Sequence, residues 1–214
     1  MTRITIVTGA AQGIGEAIAY KLSSNGVDVA LADLPNKQDT LGKIVETIKG
    51  NGCKAIALSC DVSKEDEVKD MVKTTVDTFG GLDIMVANAG IMGYAPILER
   101  ATNSAGYCIS KFGVRALTQT AALEWGQHSI TVNAYAPGYI DTPMVAETGG
   151  GLHGENFLPL LRNCGLKRLG QPEEIAEVVG FLASEGASYV TGGFTFTKVA
   201  TSNYCLIDYV KDKL

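Results

Sequence analysis

Hydrophobic positions in the first half of the chain alternate between short apolar runs and stretches with helical spacing. The apolar runs cover residues 4–9, 28–33, 54–61 and 82–90. Between two of these runs, Leu41, Ile44, Val45 and Ile48 recur at three- and four-residue intervals, which is typical of a helix. Strands that are apolar along their whole length and alternate with helices favour a parallel sheet covered on both faces. We therefore predict a single-domain α/β fold, built on a Rossmann-like doubly wound parallel sheet and spanning residues 1–214.

The helices between these strands have recognisable ends. We predict helices over 13–25 and 37–50, and a third that runs from Ser63 to about Phe79. In Ser-Lys-Glu-Asp an acid follows a serine by three residues, which predicts that Ser63 is the N-cap. Gly80 and Gly81 then predict the end of this helix.

The alternation breaks after Gly90. The next pattern is a helix over 107–125, followed by a strand over 129–138. Tyr107 follows Gly90 by only seventeen residues. A parallel crossover needs about a dozen residues, and a further strand with its turn needs several more. We therefore predict that one β-α unit is absent, so that either the fourth strand pairs directly with 129–135 or unpaired backbone groups are left beside it.

The last third of the chain is less regular. Residues 143–165 are rich in glycine, and we predict that they form a lid over the substrate. A helix begins near Pro172 and ends near Ser184. Residues 189–199 have the alternation of a final strand.

The composition of the chain argues against several kinds of binding partner and of metal or disulfide site. The chain has 214 residues and a net charge of −5, and it has no basic tract, so we expect neither a nucleic acid nor a membrane surface as partner. Five cysteines without a CxxC pair predict reduced thiols in a cytoplasmic protein rather than disulfides or zinc. Two histidines without clustered acids predict no metal site. We expect no signal peptide or membrane span.

The segment Thr8–Gly15, TGAAQGIG, follows the first strand and opens the first helix. Glycines allow a tight turn and a close approach to a pyrophosphate, and a helix N-terminus offers free N–H groups. The alternative is a glycine-rich turn without a ligand.

Acidic and amide residues end the next strands. Asp33 closes the second strand, where a carboxylate suits ribose hydroxyls and repels a 2′-phosphate. No arginine or lysine lies within 9–15, so we favour NAD over NADP; the alternative is that Asp33 is an ordinary surface residue. Asp61 and Val62 end the third strand, and Asn88 to Gly90 end the fourth, so that these strand ends together predict a binding crevice.

Tyr107 and Lys111 are four residues apart and therefore share a helix face. A neighbouring ammonium favours the phenolate and lowers the pKa of a tyrosine. Such a tyrosine can give or take a hydroxyl proton while a hydride moves to or from nicotinamide. The alternative is an ordinary amphipathic helix with a Tyr–Lys contact.

These motifs together resemble the classical short-chain dehydrogenases/reductases. TGAAQGIG resembles the cofactor loop of that family, ANAG its motif after the fourth strand, YCISK its Tyr-x-x-x-Lys, and PGYIDT its proline-glycine turn. AQGIGEAIA, FGVRALTQTAALE and PGYIDTPM look most like the diacetyl/acetoin reductase and butanediol dehydrogenase branch.

The resemblance implies an NAD(H)-dependent oxidoreductase that acts on a small carbonyl compound or secondary alcohol. Tyr107 would be the acid/base, and Lys111 would tune it and bind the nicotinamide ribose. The other cofactor-binding positions implied by the family are Gly9, Gln12, Gly13, Ile14, Gly15, Asp33, Asp61, Val62, Asn88, Ala89, Gly90, Pro137, Gly138, Ile140 and Thr142.

The chain also departs from the family. The family's catalytic serine lies about a dozen residues before the tyrosine, where this chain has Gly93, Tyr94 and Ala95. Ser104 is only three residues before Tyr107, and Asn103 does not match the family's asparagine. The absent helix is one through which family members commonly form homo-oligomers.

The ending after Gly193 also lacks the family's usual Asp-Gly-Gly turn. The alternatives to an active enzyme are a catalytically impaired dinucleotide-binding protein and a splice or gene-model product that does not fold.

Overall fold

Six strands and six α-helices make up the described part of a computed structural model of the protein, which comprises residues 2–91, 105–148 and 166–196. In chain order the elements are β1 (Ile4–Thr8), α1 (Gly13–Ser24), β2 (Asp28–Asp33), α2 (Gln38–Gly50), β3 (Ala55–Ser59), α3 (Glu65–Phe79), β4 (Ile84–Val86), α4 (Ala105–Trp125), β5 (Ala134–Ala136), α5 (Pro143–Thr148), α6 (Pro172–Leu182) and β6 (Phe194–Phe196). Short 3-10 helices cover Pro35–Lys37, Gly126–His128 and Glu185–Ala187.

The first four strands form one parallel sheet in the order β3-β2-β1-β4. Thr5 on the central strand β1 is opposite Val29 of β2 and Ile84 of β4. Every residue of β1 is buried, as expected for a parallel strand covered on both faces. The predicted doubly wound α/β sheet is therefore confirmed.

Alternate residues of these strands pack on opposite faces. Val7 and Leu31 belong to a large core cluster that also contains residues of α1, α2 and α6. Ile6 and Ala30 belong to a second cluster, which Met71 of α3 completes on the other face. The period-two alternation of a strand thus places α1, α2 and α6 on one side of the sheet and α3 on the other.

The helix ends follow from local chemistry, with one correction. Helix α6 begins with Pro172 after a capping box formed by Gln171 and Glu174. Helix α3 ends at Gly80, which has a φ of +94°. The prediction that Ser63 caps α3 is wrong, because Lys64 is the N-cap and the Ser63 hydroxyl donates instead to the Asp61 carboxylate at 2.7 Å.

Strands β5 and β6 pair with each other, with Ala134 opposite Phe194, and lie in a separate ladder from β4. The predicted direct pairing of the fourth strand with 129–135 is therefore not observed among the described strands. Both strands are also shorter than predicted. Just before the two strands, the Asn133 side chain donates to the Val190 carbonyl at 2.7 Å and accepts from the Gly193 N–H at 3.1 Å.

Candidate active site

The glycine-rich loop after β1 needs glycine for its shape. Gly9 has a φ of +64° and Gly13 a φ of +58°, both in the left-handed region that favours glycine. A Cβ atom on Gly9 would lie 2.9 Å from the Ala89 Cα, and one on Gly15 would lie 2.1 Å from the Gly9 carbonyl oxygen. The loop therefore folds tightly on itself and against the segment that follows β4.

The N-terminus of α1 carries no side-chain cap. Gln12 is the N-cap in extended conformation, but its side chain makes no capping hydrogen bond. The first turn, which includes Ile14, therefore presents its N–H groups at the positive end of the helix dipole. Such an arrangement fits an anionic pyrophosphate group, as this loop of the sequence predicts.

Asp33 ends β2 directly beside this loop. Its carboxylate accepts hydrogen bonds from the Ala11 N–H at 2.9 Å and the Leu34 N–H at 2.8 Å. These bonds hold the carboxylate beside the glycine-rich loop, and its role toward an adenosine ribose stays a prediction.

Lys37 is a residue at this site that sequence reasoning missed. Its Nζ donates to the Gln12 Oε1 atom at 3.0 Å, so its ammonium lies against the glycine-rich loop. Residues 9–15 contain no cation, and Lys37 comes instead from the 3-10 helix that follows β2. A lysine four residues after the acid that ends β2 is the signal that could have revealed it.

Asp61 and Val62 follow β3 at the same sheet edge. The Asp61 carboxylate accepts from the Ser63 N–H at 3.0 Å and from the Ser63 hydroxyl at 2.7 Å. These hydrogen bonds, and then the nearby Lys64 ammonium, lower the pKa of Asp61. The structure places both residues at the predicted strand end, and Val62 is exposed.

Thr8 and Asn88 join the ends of β1 and β4. The Thr8 Oγ1 accepts from the N–H groups of Asn88 and Ala89, each at 3.0 Å. The Asn88 Nδ2 donates to the carbonyls of Thr8 at 3.0 Å and Gly9 at 3.3 Å. Asn88 and Ala89 therefore contact the glycine-rich loop. Thr8 belongs to the predicted loop segment, but the sequence does not reveal its hydrogen bonds to Asn88 and Ala89.

Helix α4 brings Lys111 to the segment after β4. A Cβ atom on Gly90 would lie 3.7 Å from the Lys111 Nζ. Tyr107 lies on the same helix, one turn before Lys111, and its side chain is outside the described part of the structure. Asn103 and Ser104 also lie outside the described residues. The structure thus places Lys111 at the predicted cofactor edge, while the role of Tyr107 stays a prediction.

The turn after β5 also lies beside the glycine-rich loop. Pro137 and Ile140 are buried, and Gly138 lies between them. A Cβ atom on Gly13 would lie 3.1 Å from the Thr142 Cγ2. The proline-glycine turn and the cofactor loop are therefore neighbours, as their shared predicted role requires.

Part of the predicted lid lies outside the described residues. Helix α5 covers Pro143–Thr148, and the described chain resumes at 166, so the lid stays a prediction.

Within the three described ranges, no three or more His, Cys, Asp or Glu residues are grouped so as to hold a metal ion. In the same ranges, no helix has the length and hydrophobicity to cross a membrane.

Two family models match the chain. The model described as short chain dehydrogenase matches residues 3–104, and the one described as Enoyl-(Acyl carrier protein) reductase matches residues 98–197. The short-chain dehydrogenase/reductase eriH of Hericium erinaceus is 36% identical over 239 residues, which cover 88% of this chain and 93% of the relative. The chain belongs to the short-chain dehydrogenase family. Members of this family are oxidoreductases.

Other comparisons support the same membership. The L-2,3-butanediol dehydrogenase of Corynebacterium glutamicum is 32% identical over 246 residues, which cover 90% of this chain and 95% of that enzyme. A solved structure of an actinorhodin polyketide ketoreductase with NADPH has a TM-score of 0.83 and 25% identity, and the match covers 92% of this chain and 96% of that one. These relatives carry different substrate names, so what this short-chain dehydrogenase shares with them is the fold and the family.

Proposed function

We propose that this protein is an NAD(H)-dependent oxidoreductase that transfers a hydride between nicotinamide and a small carbonyl compound or secondary alcohol of the diacetyl/acetoin type. The observation that carries the proposal is the position of Lys111, whose Nζ lies near Gly90 in the segment that follows β4. Tyr107 precedes it by one turn of α4. An acid/base tyrosine and a cation are therefore carried by one helix to the edge where the cofactor loop lies.

In this proposal Tyr107 and Lys111 have different roles in the reaction. The bound nicotinamide dinucleotide would supply or accept the hydride. Tyr107 would donate its hydroxyl proton to the carbonyl oxygen during reduction and take it back during oxidation. The Lys111 ammonium would stabilise the phenolate that remains on Tyr107 and bind the nicotinamide ribose.

The cofactor loop would hold the anionic part of the dinucleotide. The uncapped first turn of α1 suits a pyrophosphate, and the Asp33 carboxylate suits the adenosine ribose. Thr142, which lies near Gly13, would help to hold the nicotinamide.

Preference between NAD and NADP depends on two opposing charges. The Asp33 carboxylate would repel a 2′-phosphate, whereas the Lys37 ammonium beside Gln12 would attract it. We propose that NAD is preferred, because Asp33 is fixed by two backbone N–H groups while Lys37 sits on a long flexible side chain. The cation would still allow weaker use of NADP.

A second candidate function is dinucleotide binding without turnover. The alignment with eriH is 239 positions long, but it contains only 88% of this chain, which is about 188 of its 214 residues. Roughly 50 positions of the alignment therefore have no residue of this chain. This difference supports a missing β-α unit, and the family's catalytic serine would belong to that unit. Without a serine to polarise the substrate, the cofactor site would remain and the chemistry would slow.

Binding and turnover are tested separately on the full chain. NADH should raise the melting temperature, because a ligand that binds only the folded state stabilises it by mass action. NADH consumption with diacetyl or acetoin should then be abolished by Tyr107→Phe, while NADH binding is kept. Tyr189→Phe is the matched control, since Tyr189 is fully exposed.

The outcomes separate the two candidates. Turnover that survives Tyr107→Phe contradicts the proposed mechanism. Binding of NADH without turnover on a panel of small carbonyl compounds supports the second function. A wild-type chain that neither melts cooperatively nor responds to NADH excludes both.

A further inference from the structure

We propose that Tyr135 is a positioning residue for the dinucleotide, which acts through Asn88 on the glycine-rich loop. The inference rests on the cofactor site of the proposed function. Tyr135 lies on β5, and its hydroxyl donates to the Asn88 Oδ1 atom at 2.9 Å. Asn88 follows β4, which belongs to a different ladder among the described strands. This side-chain hydrogen bond therefore links two sheets at the edge where the cofactor loop lies.

The phenol is held rigidly. Tyr135 is 1% exposed and belongs to the large core cluster, together with Ile18 of α1 and Ile175 of α6. A buried hydroxyl needs a hydrogen-bond partner, and Asn88 provides one. The position of the hydroxyl is consequently set by core packing and not by its partner Asn88.

The hydroxyl anchors the Asn88 amide in the orientation that the loop requires. With Oδ1 accepting from Tyr135, the Nδ2 group is free to donate to the carbonyls of Thr8 and Gly9. The reverse orientation would place Oδ1 against these two carbonyl oxygens, which is repulsive because none of the three can donate. The two carbonyls therefore select this orientation, and the Tyr135 hydroxyl holds the amide in place by donating to Oδ1.

The amide also contacts the loop sterically. Its Nδ2 lies 3.1 Å from where a Cβ atom on Gly9 would be, and 2.6 Å from where one on Gly15 would be. Gly9 to Gly15 carry the N–H groups that suit a pyrophosphate. A shift of the Asn88 amide therefore shifts the atoms that would bind the dinucleotide.

Tyr135→Phe removes the hydroxyl and keeps the ring that fills the core. In the ligand-free full chain, we expect faster amide hydrogen exchange over residues 9–15. We expect NADH to bind about fivefold to tenfold more weakly, as for the loss of one buried hydrogen bond. If the chain turns over, KM for NADH should rise by the same factor while kcat changes little, which loss of stability alone would not produce.

Two further variants complete the test. Tyr20→Phe is the matched control, since Tyr20 is a partly buried phenol that packs against the same core cluster, and it should behave like the wild-type chain. Asn88→Ala should weaken NADH binding, and adding Tyr135→Phe to it should have no further effect, because Tyr135 acts through Asn88.

The inference is overturned if Tyr135→Phe leaves exchange and affinity unchanged, or if its effect adds fully to that of Asn88→Ala. A wild-type chain that does not bind NADH contradicts the proposed function. In that case, faster amide hydrogen exchange over residues 9–15 in Tyr135→Phe would still show that Tyr135 holds the loop. With unchanged exchange, both the proposed function and the role of Tyr135 would be refuted.

Discussion

Replacing Gly15 with alanine tests whether the cofactor loop is as tightly packed as the structure shows. An added Cβ atom would lie 2.1 Å from the Gly9 carbonyl oxygen and 2.6 Å from the Asn88 Nδ2. The carbonyl belongs to the backbone, and Gly9 is itself close to Ala89, so the loop cannot simply move away. Alanine gains about 1 kcal/mol over glycine in a helix interior. Forcing a methyl group into a packed site costs about 1–3 kcal/mol, and a contact with backbone lies at the upper end.

We therefore expect Gly15→Ala to lower the free energy of unfolding by about 1–2 kcal/mol, or roughly 2–8 °C in melting temperature for a chain of this size. Gly42→Ala is the matched control, because Gly42 also lies in a helix and no atom would lie within 4 Å of its added Cβ. That variant should gain up to about 1 kcal/mol from helix propensity.

Urea unfolding followed by circular dichroism measures the free energy of unfolding of both variants. Titration with NADH measures their affinity for the dinucleotide. Gly15→Ala should weaken NADH binding at least tenfold, and Gly42→Ala should leave it unchanged. The packing argument is refuted if Gly15→Ala is as stable as Gly42→Ala and binds NADH as well as the wild-type chain.

Two other predictions concern charge. The Arg168 guanidinium and the Gln171 N–H hold the pKa of Glu174 down to about 2, so its contribution to stability is present above pH 4.5 and is lost as the pH falls towards 2. Between these pH values the melting temperature of Glu174→Gln should fall less than that of the wild-type chain, and an equal fall would contradict this. Lys37→Met should weaken NADPH binding more than NADH binding, whereas Asp33→Ser should do the reverse, and equal effects on the two cofactors would contradict the assigned charges.

The elements predicted most closely are those whose signal is local. Helix α2 lies where the spacing of Leu41 to Ile48 places it, because one helix face packs against the sheet. Every residue of β1 is buried, and so is every residue of β2 except Asp33, as the apolar runs of the two strands indicate. In such segments the spacing of apolar residues follows directly from which side chains are buried, so the sequence is sufficient to predict the element.

The features that the sequence did not predict depend on contacts between distant segments. Nothing near Asn133 indicates that its side chain bonds to Val190 and Gly193, the segment that precedes β6. Lys37 reaches Gln12 and Tyr135 reaches Asn88 only after the sheet has formed. The glycine positions of the site were predictable because their motif is local, whereas the side chains that orient them were not.

The cofactor loop and helix α4 differ in how firmly the surrounding residues hold them. In the described residues the core cluster on the α1, α2 and α6 face has 23 buried members, and the cluster on the α3 face has five. The hydrogen bonds that shape the cofactor loop join β1, β4 and β5, and Tyr135 connects them to the larger cluster.

Helix α4, by contrast, leaves Leu117 65% and Leu123 85% exposed. These exposed leucines lie on the helix that carries Tyr107 and Lys111, and not on the loop that would hold the dinucleotide. If the chain is impaired, the physical expectation is an intact affinity for NADH combined with slow turnover, and not the loss of both together.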